Sequence, residues 1–148
     1  MSMFAANWEE MSRLVAAAVS SHLAPGEELT GVVYAHQPKL FSVELFAVGV
    51  TANRLLLVPV DRRCQPAGPP ISIRHGELTD CSVWGRGGGV AAFLSETADQ
   101  QLRFTAQGRK FKLMALGGNW FENALAGPTQ RQGLERLVEF LLAARPAR

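Results

Sequence analysis

The stretch SVWGRGGGVAAF, residues 82–93, holds Gly85, Gly87, Gly88 and Gly89 in five positions. A glycine cluster does chemistry when it follows a strand and opens a helix, because the free amide groups of the first helical turn then meet a phosphate. A nucleoside-triphosphate loop would close on Lys followed by Ser or Thr, and a dinucleotide loop would carry a third glycine at position 90. Val90 stands there, and no Lys-Ser or Lys-Thr follows. The next residues, VAAFLSE, alternate as a strand does. The cluster therefore reads as a hairpin turn, with Gly87 to Gly89 supplying positive φ angles without steric cost.

Other reactive residues are equally unassembled. Nucleophilic catalysis needs Ser, Cys or Thr beside a base that a third group orients. Ser42, Ser72, Ser82 and Ser95 fall in strand-like segments, and no GxSxG elbow occurs. His75 beside Glu77 is the best acid–base pair, and its setting, HGE inside an apolar stretch, reads as an exposed bulged turn. Cys64 and Cys81 form no CxxC, and His22, His36 and His75 are scattered, so no zinc site is indicated. Both cysteines read as unpaired thiols packed as small apolar groups. No catalytic residue, metal or cofactor is expected.

Charge carries more information. The chain has 15 basic and 13 acidic residues, a net charge of +2, too small to imply nucleic acid. Between Asp61 and Glu77 the only charges are Arg62, Arg63 and Arg74; between Asp99 and Glu122 they are Arg103, Arg109, Lys110 and Lys112. Strand alternation sets Arg103 against Leu102 and Phe104, and Lys110 and Lys112 against Phe111 and Leu113. With Lys39, these residues are the candidate surface for an anionic partner, whether an acidic protein or a lipid headgroup.

The elements that must position them are short. Asn7 and Glu10 have capping-box spacing, and Trp8, Met11, Val15, Ala18, Val19 and His22 make one helical stripe that Pro25-Gly26 ends. From Leu29 the period becomes two: LTGVVYAH, SVELFAVGVT, RLLLVPVD, ISIRH joined to TDCSVW, VAAFLSE, QQLRFT and KFKLMAL. Turns fall at Ala52-Asn53, Ala98-Asp99 and Gln107-Gly108, and RRCQPAGPP makes a loop. Seven short strands without crossover helices predict an antiparallel barrel or sandwich. Thr129 and Gln132 repeat the capping-box spacing before a stripe of Leu134, Leu137, Val138, Leu141 and Leu142. No apolar run reaches the roughly 18 residues of a spanning helix, and the amino-terminal segment lacks the basic start of a secretory signal. The expectation is a single cytoplasmic domain: a helix over 1–24, a β-sheet barrel over 28–117 and a helix over 128–144.

The order of LAPGEELTG, GVTANRLLLV, a Pro-rich loop, ISIRHGELTD, hairpins and a closing helix resembles the bacterial PH-like domains and their GRAM relatives. The phrase PGE before the first strand, and Thr51, Arg54 and Leu55 opening the third, carry the likeness over about residues 24 to 142. It implies a mainly β fold: a bent seven-stranded antiparallel sheet capped by the C-terminal α-helix, with the N-terminal helix as an addition. It also implies a non-catalytic binding module for lipids or proteins. With no catalytic constellation and two amphipathic helices flanking the sheet, the first expectation is a protein partner reached through the N-terminal helix or the basic strand face. Peripheral docking on anionic membrane is the alternative. A third reading is a small barrel holding an apolar ligand or flavin, with Trp84, Trp120 and Phe121 at its mouth. The loop HQPKLFS offers only His36 and Lys39 where phosphoinositide-binding PH domains carry several basic residues, which argues against specific inositol-phosphate recognition. Self-association through the N-terminal helix is also open.

Overall fold

The computed structural model describes residues 3–84, 99–116 and 127–144. Helix α1 (Met3–Ser20) precedes strands β1 (Gly31–Pro38), β2 (Val43–Val50), β3 (Arg54–Val60) and β4 (Ile71–Arg74). A single 3₁₀ turn (His75–Glu77) leads to β5 (Thr79–Trp84), followed by β6 (Asp99–Ala106), β7 (Arg109–Leu116) and helix α2 (Gly127–Ala143). The strands form one antiparallel seven-stranded sheet in the order β4-β3-β2-β1-β7-β6-β5.

That order requires curvature. β4 and β5 are the two ends of the sheet, yet only four residues separate Arg74 from Thr79. Five extended peptide steps reach at most about 17 Å, whereas six inter-strand spacings in a flat sheet would span about 29 Å. The sheet must therefore curl until its ends approach. The Gln107 side chain, at the β6–β7 turn, reaches across to donate to the Ser72 carbonyl of β4 at 2.7 Å.

Curling buries the strands on two sides. Phe46, Val48, Val50, Leu55 and Leu57 face inward with Phe104, Phe111 and Leu113, against Leu134, Leu137 and Leu141 of α2. The alternate residues Val32, Ala47, Leu56, Val58 and Val60 meet Val15, Ala18 and Val19 of α1. This double burial is why β3 reads as an unbroken apolar run rather than an alternation. It also commits the α1 stripe to the chain's own sheet.

Several local readings change. α1 begins at Met3, so Asn7 lies within the helix and does not cap it; Met3 to Ala6 carry nothing that opposes helix. Likewise α2 starts at Gly127, and the Thr129 hydroxyl donates to Glu9 Oε1 of α1 at 2.9 Å instead of capping its own helix. The expected bulge at HGE is the 3₁₀ turn, and the segments on either side are separate strands at opposite ends of the sheet. The seven strands are thus reached by splitting ISIRH from TDCSVW; VAAFLSE, the glycine cluster, Arg86, Trp120 and Phe121 lie outside the described residues, as does the Trp84 side chain.

β1 and β7 share a single backbone pairing, His36 with Met114. Farther along β1, α2 takes the place of a strand. The side-chain amide of Gln130, itself buried, accepts from the Tyr34 N–H at 2.9 Å and donates to the Tyr34 carbonyl at 3.0 Å. Gly133 lets the helix come this close: a Cβ there would stand 1.9 Å from the Val32 carbonyl oxygen.

Two phrases that carried the resemblance meet in space. Arg54 donates from Nε to Glu27 Oε2 at 2.8 Å and from a terminal nitrogen to Oε1 at 2.6 Å. It also donates to the His22 carbonyl and to Ser72 Oγ, both at 3.1 Å. Thr51 Oγ1 accepts from the amides of Asn53 and Arg54, shaping the β2–β3 turn. The Arg54 hydrogen bonds, followed by that from the Ala24 amide, pull the Glu27 carboxyl down to about 2. This cluster fastens the α1–β1 connection to β3 and β4.

Candidate functional site: a basic groove beside an apolar hairpin tip

The β6–β7 hairpin carries four basic residues, Arg103, Arg109, Lys110 and Lys112. Its turn, Gln107-Gly108, has φ angles of 54° and 75°, and pairs Ala106 with Arg109; two positive φ values match the right-handed twist of the flanking strands. The register then sets Arg103 directly opposite Lys112, and Thr105 opposite Lys110. Directly opposed like charges on one sheet face are destabilising. Among the described residues no acidic side chain pairs with Arg103, Lys110 or Lys112. The alternate residues Phe104 and Phe111 stack on the buried side, ring centroids 5.0 Å apart.

These cations line a groove of about 710 Å³ together with Gln37, Pro38, Asp80 and Ser82. β1 is held against its wall because the Gln37 side-chain oxygen accepts from the Lys112 amide at 2.8 Å. Beyond Pro38 the chain turns back, with the Lys39 amide donating to the Ser42 carbonyl at 2.8 Å. Glu44, just inside β2, ties this hairpin to β7. It forms an ion pair with Lys39 Nζ at 3.2 Å and accepts from the Arg109 guanidinium at 3.0 Å, and that guanidinium lies 4.7 Å from the Phe111 ring centroid.

The tip of the β1–β2 turn is apolar. Leu40 is 87% and Phe41 93% exposed, and Val43 beside them is 56% exposed. Sequence reasoning passed over them while counting bases in HQPKLFS. Their signal was available: two large apolar residues between Pro38 and Ser42, in a segment too short to fold back over itself.

Of the eight predicted basic residues, the structure gathers five at this end: Arg103, Lys110 and Lys112 in the groove, with Lys39 and Arg109 around Glu44. Arg62 and Arg63 do not line it. They sit in the β3–β4 loop, where Asp61 Oδ1 accepts from the Gln65 amide and then from that of Arg63, which together hold the Asp61 carboxyl below its usual range. Cys64 in this loop is buried against the α1 cluster. Arg74 pairs across from Arg54 and borders a different recess, beside residues 24–27.

The His75–Glu77 pair does not form. The His75 ring stacks on Phe140 at 3.7 Å, while Glu77 accepts from the Arg74 amide at 2.8 Å. No hydrogen bond joins the two side chains. Among the described residues no three His, Cys, Asp or Glu side chains cluster as a metal site would, and no helix is long and apolar enough to cross a membrane.

No protein-family model matches the chain, and no curated protein matches it. Among solved structures, the C-terminal domain of an unknown protein from Leishmania infantum is similar with a TM-score of 0.50. That match covers 89% of this chain and 98% of that one at 12% identity. The likeness is one of fold. The hSac2 domain from the human phosphoinositide phosphatase Sac2 covers 93% of this chain and 86% of its own, at 12% identity and a TM-score of 0.49.

Proposed function

We propose that this chain is a non-catalytic interaction domain of PH-like architecture, and that its binding surface is the basic groove of the β6–β7 hairpin. The observation that carries the reading is the opposed pair Arg103 and Lys112, with Lys110 on the same face. A sheet face that needed only solubility would interleave signs, since adjacent like charges oppose folding. Their cost is offset when an anionic partner neutralises them, so the partner is an acidic protein segment or an anionic lipid surface. The protein reading now rests on this strand face rather than on α1, whose apolar stripe packs on its own sheet.

Retention on an immobilised polyanion tests the surface. Lys110→Glu with Lys112→Glu should elute at markedly lower salt than the parent. Arg62→Glu with Arg63→Glu changes net charge equally away from the groove and should shift elution much less. Equal shifts for the two pairs would show that net charge alone governs retention and would remove the groove.

A further inference from the structure

The groove's charge does not explain the hairpin beside it. Among the described residues, the large hydrophobic side chains that stand exposed are Leu40, Phe41 and Val43, all within four positions and bounded by Lys39. Scattered exposed apolar side chains need no account, but a contiguous group marks a contact surface. Its shape narrows the occupant. The pair projects from the end of a tight turn, a convex tip that a protein partner must receive in a matching pocket. A lipid interface receives it without one. The surrounding chemistry agrees: Lys39 is next to the tip, Glu44 holds Lys39 and Arg109 at the hairpin base, and Arg103, Lys110 and Lys112 stand in the adjoining groove. Long cationic side chains lay their stems on apolar matter while their heads meet phosphate.

We propose that the β1–β2 tip inserts Leu40 and Phe41 into the interfacial layer of an anionic lipid bilayer, while Lys39 and the groove cations engage the headgroups. This rests on the reading of the basic face given above and names its partner. Insertion is non-covalent, and the two contributions have separate signatures. Burial of the tip is insensitive to salt, whereas headgroup attraction weakens as salt screens it.

Co-sedimentation of the full chain with phosphatidylcholine vesicles, with and without phosphatidylglycerol, tests this at low and high salt. The parent should bind the anionic vesicles, and much less the neutral ones. Leu40→Ser with Phe41→Ser should lose about tenfold or more in affinity for anionic vesicles, since moving either side chain out of water is worth roughly a decade. Both residues are exposed, so the variant should keep the parent's circular dichroism, and it should keep the parent's retention on the polyanion. Phe41→Trp should show quenching by bromolipids above the background of the native tryptophans.

Vesicle binding unchanged in the Ser variant would overturn insertion while leaving the basic face in place. A parent that ignores anionic vesicles but still binds the polyanion through Lys110 and Lys112 would overturn the membrane as partner in favour of an acidic protein. If the Lys110→Glu, Lys112→Glu chain retains polyanion and vesicles as the parent does, the underlying functional reading fails as well.

Discussion

Replacing Gly133 with alanine sets two effects of known size against each other. In an exposed helix interior the exchange stabilises by about 1 kcal/mol, because glycine loses more backbone freedom on folding. At this position the new Cβ would lie 1.9 Å from the Val32 carbonyl oxygen, 2.6 Å from its carbon and 3.0 Å from the Val32 nitrogen. All three are backbone atoms of β1, so no rotamer change relieves the contact. Ordinary carbon–oxygen contacts begin at about 3.3 Å, which means that α2 must back away from the strand by on the order of 1 Å. That movement loosens Leu134, Leu137 and Leu141 in the core and lengthens both Gln130–Tyr34 hydrogen bonds. Overpacking of this kind costs about 1–3 kcal/mol, and each weakened hydrogen bond about 1 kcal/mol more. The clash wins, with a net loss of about 2–4 kcal/mol. For a chain of this length that lowers Tm by roughly 6–13 °C. Urea and thermal unfolding followed by circular dichroism measure it, with Gly76→Ala as the control because nothing lies within 4 Å of its added carbon. A Gly133→Ala chain as stable as the parent, or more so, would refute the close approach of α2 to β1.

Glu27 gives a pH test. Its folded-state carboxyl, held at about 2 against an ordinary 4.5, contributes stability that is full above pH 4.5 and is lost as pH falls towards 2. Glu27→Gln should therefore be less stable at neutral pH and show a shallower acid limb in urea midpoints between pH 2 and 6; an unchanged acid limb would dismiss the Arg54 pairing as its source. Cys64 gives a chemical test, because burial and the nearby Asp61 push its thiol up to about 11. In a Cys81→Ser chain, a thiol reagent at pH 8 should find almost no reactive group until denaturant is added, and prompt reaction of the native chain would contradict the packing of the β3–β4 loop.

How much of this was legible depends on whether a pattern was local. The Gln107-Gly108 turn, the Ala52-Asn53 turn and the paired stripes of β6 and β7 follow from neighbours in sequence, and the structure has them where the periodicity puts them. The helix starts did not read correctly, since Asn7 and Thr129 carry cap chemistry inside longer helices. The merging of β4 with β5 has a different cause. Nothing local in ISIRHGELTDCSVW records that three residues of 3₁₀ turn carry the chain from one end of the sheet to the other. The site divided in the same way. Alternation placed Arg103, Lys110 and Lys112 on one face, but whether Arg62, Arg63 and Arg74 joined them depended on how the sheet curls. Counting bases in the β1–β2 loop directed attention away from Leu40 and Phe41, because an apolar residue in a strand-rich sequence is read first as core.

The Gln130 amide completes the backbone pairing of a tyrosine that precedes it by 96 positions. As the polypeptide leaves the ribosome, β1 and β2 are available for pairing early, but the polar groups of Tyr34 wait on a segment made much later. Beside Tyr34 the slot between β1 and the other half of the sheet thus stays open to water until Gln130 has been made. Docking of α2 then covers that slot, and the rate at which that distant helix arrives sets how long the apolar interior of the curled sheet is at risk of meeting another chain.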